Sequence, residues 1–457
     1  MSLELVDQPR LVYPPRLADG VELLGELRDS GFETPPALVR RADGQMIQLS
    51  RLLYLVACAL DGTRAPGVIA ALVSDDLGRS LSAAQVSYLI RDKLAPLGVI
   101  AGEDAPAALP TASPLLTLRA RATLLPAAAA NVAGAVLRPL FHWPVIAAVI
   151  AGAGAMDYWL FLLHGLSAAY RQALADPADL LLVAGLSVAS AVFHECGHAA
   201  GCRYGGARPG RIGVGVYLVW PSFFTDVTDS YRLGRSGRLR TDLGGVYFNM
   251  IFMLGLAGCY ALTSDQVLLL TIAVTHLEML EQLLPVVRFD GYFILSDLIG
   301  VPDIFARVGP VLGTAFAQGR HTRTVALRRP ARRLITAWIA CVIPLLAFTM
   351  GSLLLYLPDF NRSLWFSVDD AWHLVTGDIA GRQYAAAVID ALGGALAALS
   401  SVGSAYILIG LTRRAVGIAR NWTAGHPGRR LIAIAAAVAI AVTLALFWTT
   451  QGQFSNW

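Results

Sequence analysis

The sequence predicts a mainly α-helical, polytopic membrane bundle of about seven spans, preceded by a small winged-helix α+β domain. Three observations carry this expectation. Of the 457 residues, 56% are hydrophobic and only 15% charged, against about a quarter charged in soluble domains. The apolar residues gather in runs of about 20, the length that crosses a hydrocarbon core. The first 110 or so residues differ, mixing polar and apolar positions as a soluble domain does.

In the expected soluble domain, 1–110, residues 38–49 read as two short strands around Asp43-Gly44, a hairpin turn pair. Helical patterns follow at 50–60, 64–77 and 82–97. Ser50 and Ser82 are suited to N-cap two of them, and Gly98 to stop the last. A hairpin followed by three helices suggests a winged helix. Its acidic residues outnumber its basic ones, and it lacks a basic recognition helix, which argues against a nucleic-acid partner. Residues 1–20 lack the continuous apolar core of a signal peptide.

Residues 111–140 are rich in alanine and leucine and carry Arg119 and Arg121, which predicts an interfacial linker helix. The apolar spans are expected at 144–163, 178–202, 243–262, 266–286, 334–357, 385–411 and 431–449. Arginines crowd alternate connections: 203–240, 288–333 and 413–430 are dense in them, whereas the opposite set holds only Arg171, Arg362 and Arg382. Cytoplasmic loops carry the positive charge, so the dense set and the N-terminal domain are expected in the cytoplasm. A catalytic core is expected over 141–300. Residues 301–457 are expected to hold a cytoplasmic loop and accessory spans, with 358–382 as an outer interfacial loop. Lys93 is the single lysine; with abundant alanine and arginine this suggests a GC-rich bacterial genome and hence a bacterial cytoplasmic membrane. Five scattered cysteines form no CxxC pair, so neither a disulfide framework nor a thiolate metal site is expected.

The chemistry concentrates in Phe193-His194-Glu195-Cys196-Gly197-His198, near the end of the second span. Ionisable groups inside a membrane are expensive and therefore functional candidates. On a helix, His194 and His198 share a face. That spacing lets two imidazoles hold one Zn2+ while Glu195 acts as the base for water. The alternative is two histidines hydrogen-bonding within a bundle. Cys196 is a variable position of the motif and reads as helix packing. A hydrolytic zinc site takes three protein ligands and keeps one position open. Glu278, Glu281, Asp290, Asp297, Asp226 and Asp229 are the carboxylates available for the third. Asp290 is the best placed, because Pro285 ends a helix before it and Gly291 follows it. Glu281 is the fallback. His276, Glu278 and Glu281 also suit outer-shell or proton-path roles. Asn249 suits an oxyanion donor or substrate clamp, or equally a helix–helix hydrogen bond. Residues 214–231 alternate in polarity and could dip toward the site as a hairpin that pairs with an extended peptide. The alternative there is a structural loop whose aspartates pair with Arg232 or Arg235.

The HECGH string, Gly245-x-x-x-Asn249 and Leu284-Pro285-x-x-x-x-Asp290-Gly291 together resemble the site-2 protease family of membrane zinc metallopeptidases. The resemblance covers roughly 139–300. The strings 194–199, 221–229 and 289–297 are closer still to its bacterial peptide zinc metalloprotease branch. It implies that His194, His198 and Asp290 bind zinc and that Glu195 is the general base. Two departures stand out: Gln282 lies where the family tends to have Asn, and Gly245-Val246 where it tends to have Gly-Pro. The N-terminal domain, through Leu49-Ser50, Leu60-Asp61-Gly62-Thr63 and Leu94-x-x-Leu97-Gly98-Val99-Ile100, resembles the RiPP recognition element, a module that binds precursor-peptide leaders as an added strand.

The expected function is therefore an intramembrane zinc metalloendopeptidase that removes the leader of a ribosomally synthesised precursor peptide. Its partners would be that peptide and the lipid bilayer, with no nucleic acid, and nothing in the sequence excludes an oligomer. The alternatives are regulated proteolysis of a membrane-anchored regulator or signal-peptide remnant, and a non-enzymatic peptide exporter or immunity protein.

Overall fold

The computed structural model describes residues 14–42, 45–101, 119–217, 220–316 and 327–454. The expected Asp43-Gly44 turn and the first part of the linker, 111–118, lie outside the described residues.

The N-terminal domain is a three-stranded antiparallel sheet backed by helices. Strands β1 (Glu22–Glu26), β2 (Ala37–Arg40) and β3 (Met46–Leu49) lie in the order β1-β2-β3, with the expected strands β2 and β3 paired antiparallel, Val39 opposite Ile47. Helices α1 (Arg51–Cys58), α2 (Pro66–Leu77) and α3 (Ala83–Tyr88) follow. Ser50 Oγ accepts from Leu53 N at 3.4 Å. Ser82 and Gln85 cap each other reciprocally, at 3.2 and 2.9 Å, the S-x-x-Q arrangement that satisfies two orphan amides. The chain runs on helically to Leu97 and stops at Gly98, whose φ of 71° suits glycine. Val39, Leu49, Val56, Ile69, Val86 and Leu94 close the core.

The rest is predominantly helical. Strand β4 (Arg119–Leu125) leads into α4 (Ala127–Leu137), α5 (Trp143–Asp157), α6 (Ser167–Ala175) and α7 (Pro177–Tyr204). Hairpin β5 (Ile212–Tyr217) and β6 (Trp220–Thr225) comes next, then α8 (Arg235–Asp242), α9 (Gly244–Thr263), α10 (Gln266–Leu283), α11 (Asp290–Ile299) and α12 (Phe305–Phe316). The chain ends with α13 (Arg329–Leu355), α14 (Leu357–Ala380), α15 (Tyr384–Thr423) and α16 (Pro427–Phe454). Among the described residues, six helices are long and apolar enough to span a membrane: Trp143–His164, Pro177–Tyr204, Gly244–Thr263, Arg329–Leu355, Tyr384–Thr423 and Pro427–Thr449. The expected span 266–286 corresponds to helix α10, but Gln266, His276, Glu278, Glu281 and Gln282 dilute its apolar character and it falls outside that set. Its 18 residues rise about 27 Å.

Two expectations are corrected. The linker 111–140 is not one helix: residues 119–125 are β4, paired with β5 through Ala122–Val214 and Thr123–Gly213. The Arg-Ala-Arg-Ala-Thr alternation has the two-residue period of a strand, and Pro126 starts α4 while disfavouring helix before it. Residues 358–382 are not a loop. Pro358 sits in the first turn of α14, where its missing amide costs nothing, and Ala371 packs on Gly394 of α15.

The N-terminal domain packs on the arginine-dense connections. Gly31 N donates to Gly300 O at 2.8 Å, and Arg328 N to Gly31 O at 2.9 Å. Phe32 enters a core with Tyr292, Ile299, Val301, Ile335 and Trp338. Arg235 Nη2 donates to Asp29 O at 2.8 Å, and Arg232 pairs with Glu22. Arg238, on α8, is fully buried; it reaches Asp297 Oδ1 at 2.8 Å, Leu233 O at 2.9 Å and Arg28 O at 3.3 Å. It thus joins α8, α11 and the N-terminal domain. Removing one partner of a buried ion pair strands the other, at about 3–5 kcal/mol. Arg238→Met should accordingly lower the unfolding temperature in detergent sharply, and adding Asp297→Leu should recover part of the loss. A double variant no better than the single would show that the pair is not the source.

Candidate metal centre

Three helices bring the site together. His194 and His198 lie one turn apart on α7, and Asp290 is the first residue of α11. The chain reaches Asp290 by a short turn after Leu283, as the Pro285 punctuation predicts. Gly291 is required because a Cβ there would run into the Leu283 carbonyl. The third helix, α9, packs backbone to backbone on α7: a Cβ at Gly197 or Gly244 would collide with the other residue's carbonyl, and one at Gly245 with the His194 ring.

Both histidines and Glu195 are buried. His198 Nδ1 lies 2.8 Å from Thr241 O. A carbonyl only accepts, so Nδ1 carries the hydrogen and Nε2 presents a lone pair. That lone pair lies 3.1 Å from His194 Nε2 and 3.4 Å from Asp290 Oδ2, and His194 Nε2 lies 2.9 Å from the same oxygen. Three donor atoms therefore form a small triangle. Tetrahedral zinc with bonds of about 2.0–2.1 Å sets its ligands about 3.3 Å apart. The edges come close to that spacing, so the three atoms could share one cation. Asp290 Oδ2 is buried, and the two imidazole nitrogens are the groups it faces. Burial works to raise the Asp290 carboxyl, but His198 and His194 hold it below the usual carboxylate range. The donor set fits zinc.

Glu195 has ligand atoms within 4.8 Å of both imidazoles. Thr225 Oγ1, at the end of β6, lies 2.7 Å from Glu195 Oε2 and 2.9 Å from the Glu195 carbonyl. The expected hairpin thus reaches the site, and its last residue holds the carboxylate. Deeper in, burial and the neighbouring Asp297 push Asp242 well above the usual carboxylate range.

The other candidates lie elsewhere. Asn249 is buried, and its Oδ1 lies 3.4 Å from Ser190 Oγ across α7 and α9, the helix–helix arrangement. Glu281 is exposed. His276 pairs with Asp157 at 3.0 Å. Asp226 accepts from Thr228 Oγ1 at 2.6 Å, Asp229 pairs with Arg232, and Asp297 with Arg238. Among the described residues, Asp290 is the carboxylate of the six that meets the imidazoles. Cys196 packs with Phe141, Ala200 and Phe248. Thr241 and Thr225 were not picked out by sequence. Thr225 lies inside the 221–229 string, but Thr241 acts through its carbonyl, which no side-chain pattern reveals.

The chain is mainly helical, with six helices long and apolar enough to cross a membrane among the described residues, and it gathers two histidines and a carboxylate that could hold a metal, with a glutamate beside them. A chain segment of 114 residues is 26% identical to the Bacillus subtilis (strain 168) protein named "Putative peptide zinc metalloprotease protein YydH", covering 24% of this chain and 45% of that protein. The chain thus matches about half the length of that relative. No family model and no solved structure matches the chain.

Asp290→Ala should empty the centre. Losing outer partners of a ligand already costs about 10–100-fold in metal affinity, and a direct ligand should cost more. Zinc measured by mass spectrometry on purified protein tests this; full occupancy would remove Asp290 from the ligand set.

Proposed function

We propose that this chain is a membrane-embedded zinc endopeptidase that cuts a ribosomally made precursor peptide. The observation that carries the reading is the triangle of His194, His198 and Asp290 beside Glu195. The relative named for peptide and zinc points the same way. Zinc held by those three ligands would supply Lewis acidity to the scissile carbonyl and lower the pKa of water from about 15.7 to about 7. The chain's own residues do the remainder. Glu195 takes the proton of the attacking water and returns it to the leaving amine. Thr225 keeps its carboxylate turned to the centre. Thr241 fixes the His198 tautomer. Burial of the site excludes bulk water and strengthens each of these interactions.

The precursor-peptide reading rests on the N-terminal domain. Its outer strand β3 offers an edge to which an extended peptide adds by main-chain hydrogen bonds. The domain packs beside α11, so a captured peptide is held near Asp290. We place the domain and the centre at the cytoplasmic face of a bacterial membrane, on the arginine distribution.

Two outcomes test this. Glu195→Gln should keep its zinc and lose cleavage by about 100-fold or more, the usual contribution of a general base; undiminished cleavage of a peptide library, followed by mass spectrometry, would remove Glu195 from the mechanism. Among short peptides encoded beside the gene, at least one should be cut, and deleting its N-terminal segment should raise KM with kcat little changed. Equal KM values would favour a membrane-anchored regulator as substrate.

A further inference from the structure

His198 and Asp290 take their places from different elements. The Thr241 carbonyl, near the end of α8, orients His198 from 2.8 Å. Asp290 is the first residue of α11. One contact between the two helices lies next to both. The Asp242 carboxyl, one residue after Thr241, is hydrogen-bonded to the carboxyl of Asp297 on α11. Both residues are buried, each 7% exposed. Asp297 follows Asp290 by two helical turns, so the two share a face of α11.

Two carboxyls in such contact hold a proton between them. Like charges that close do not both ionise, and an ionised carboxylate has no hydrogen to donate. The surroundings decide which group keeps it. Arg238 Nε donates to Asp297 Oδ1 at 2.8 Å, which favours the Asp297 anion. Asp242 closes α8, where the partial negative charge of the helix end disfavours an anion. Among the described residues no N–H or hydroxyl donates to the buried Asp242 Oδ2. An ionised oxygen there would be stranded, whereas a protonated carboxyl donates to Asp297. The other titratable and charged groups around Asp242 are Asp290 of α11, His198 of α7, Tyr231 and Arg238. Burial, Asp297 and Asp290 push the Asp242 carboxyl up, and His198 opposes them.

We propose that Asp242 and Asp297 are a positioning pair: the proton between them fastens the end of α8 to α11, which keeps the Thr241 carbonyl on His198 while Asp290 faces the imidazoles. Neither carboxyl is a ligand in this arrangement. The inference rests on the metal-centre part of the peptidase reading and adds a pH-dependence to it. The folded chain keeps a proton that an exposed carboxyl releases at lower pH. The stabilisation is therefore complete in acid and is lost as pH rises through the raised pKa of Asp242. Two buried carboxylates then repel across the joint, and the centre loosens its hold on zinc.

The test uses full-length protein in detergent, with zinc as the probe and a chelator of known affinity as competitor, over a series of pH values. Asp242→Ala should lose about 10–100-fold in zinc affinity, the usual effect of removing the support of a ligand. Asp242→Asn, whose amide still donates to Asp297 but does not titrate, should recover most of that loss. Compared with Asp242→Asn at the same pH, the wild-type chain should lose zinc affinity and unfolding temperature progressively toward alkaline pH. Hydroxide acts on both proteins alike and cancels in the ratio. An Asp242→Ala variant that binds zinc as the wild type does, or a ratio of wild type to Asp242→Asn that is flat with pH, overturns the proposal. A falling unfolding temperature with unchanged zinc affinity assigns the pair to folding alone and also overturns it. Cleavage is followed separately. Zinc that responds to Asp242 as expected, without cleavage of any peptide, refutes the peptidase and leaves the pair standing; cleavage with zinc affinity indifferent to Asp242 does the reverse.

Discussion

The contact between the backbones of α7 and α9 is the constraint on which the centre depends. Gly197 and Gly244 leave no room for a Cβ between the two helices, and Gly245 lies against the His194 ring. In a bilayer, helices gain little from apolar burial against one another, so close packing of small residues takes over. Here that packing also positions chemistry. It brings the junction of α8 and α9 close enough for the Thr241 carbonyl to reach His198. It leaves His194 Nε2 and His198 Nε2 pointing the same way, toward the start of α11.

A second layer of interactions carries that start to the right place. Asp290 sits where it does because α11 is clamped at two levels. Gly291 lies on the last turn of α10, and Asp297 is held by the buried Arg238 of α8. Arg238 also touches the Arg28 carbonyl, and Phe32 packs beneath Tyr292. The N-terminal domain is therefore part of the support of Asp290, through α11. A module that merely tethered substrate would not need to bury an aromatic ring beside that helix.

The motifs were legible because each is local. His194 and His198 need only one helical turn to face together, and Ser50, Ser82 and Gly98 act within three or four residues of themselves. Asp290 was readable from the proline and glycine around it, since both restrict the backbone whatever the fold. The misread segments are those where distant partners decide. Residues 119–125 are a strand because β5 pairs with them, and an alanine-rich sequence alone reads as helix. Strand β1 was missed for the same reason. Helix α14 forms against α15, while its tryptophans and aspartates suggested an exposed loop.

The sequence by itself determined apolar runs long enough to cross a membrane, the pair of imidazoles with their glutamate, and a short set of carboxylates for the third ligand. Apolar run length and helical spacing are properties of the chain, and they hold in any fold. Only the tertiary structure decided which carboxylate meets the histidines, that Thr225 holds Glu195, and that Asn249 bonds to Ser190 across the helices. Those choices depend on helix crossings set by glycine contacts between residues far apart in sequence, and a contact of that kind leaves no periodic trace in either segment.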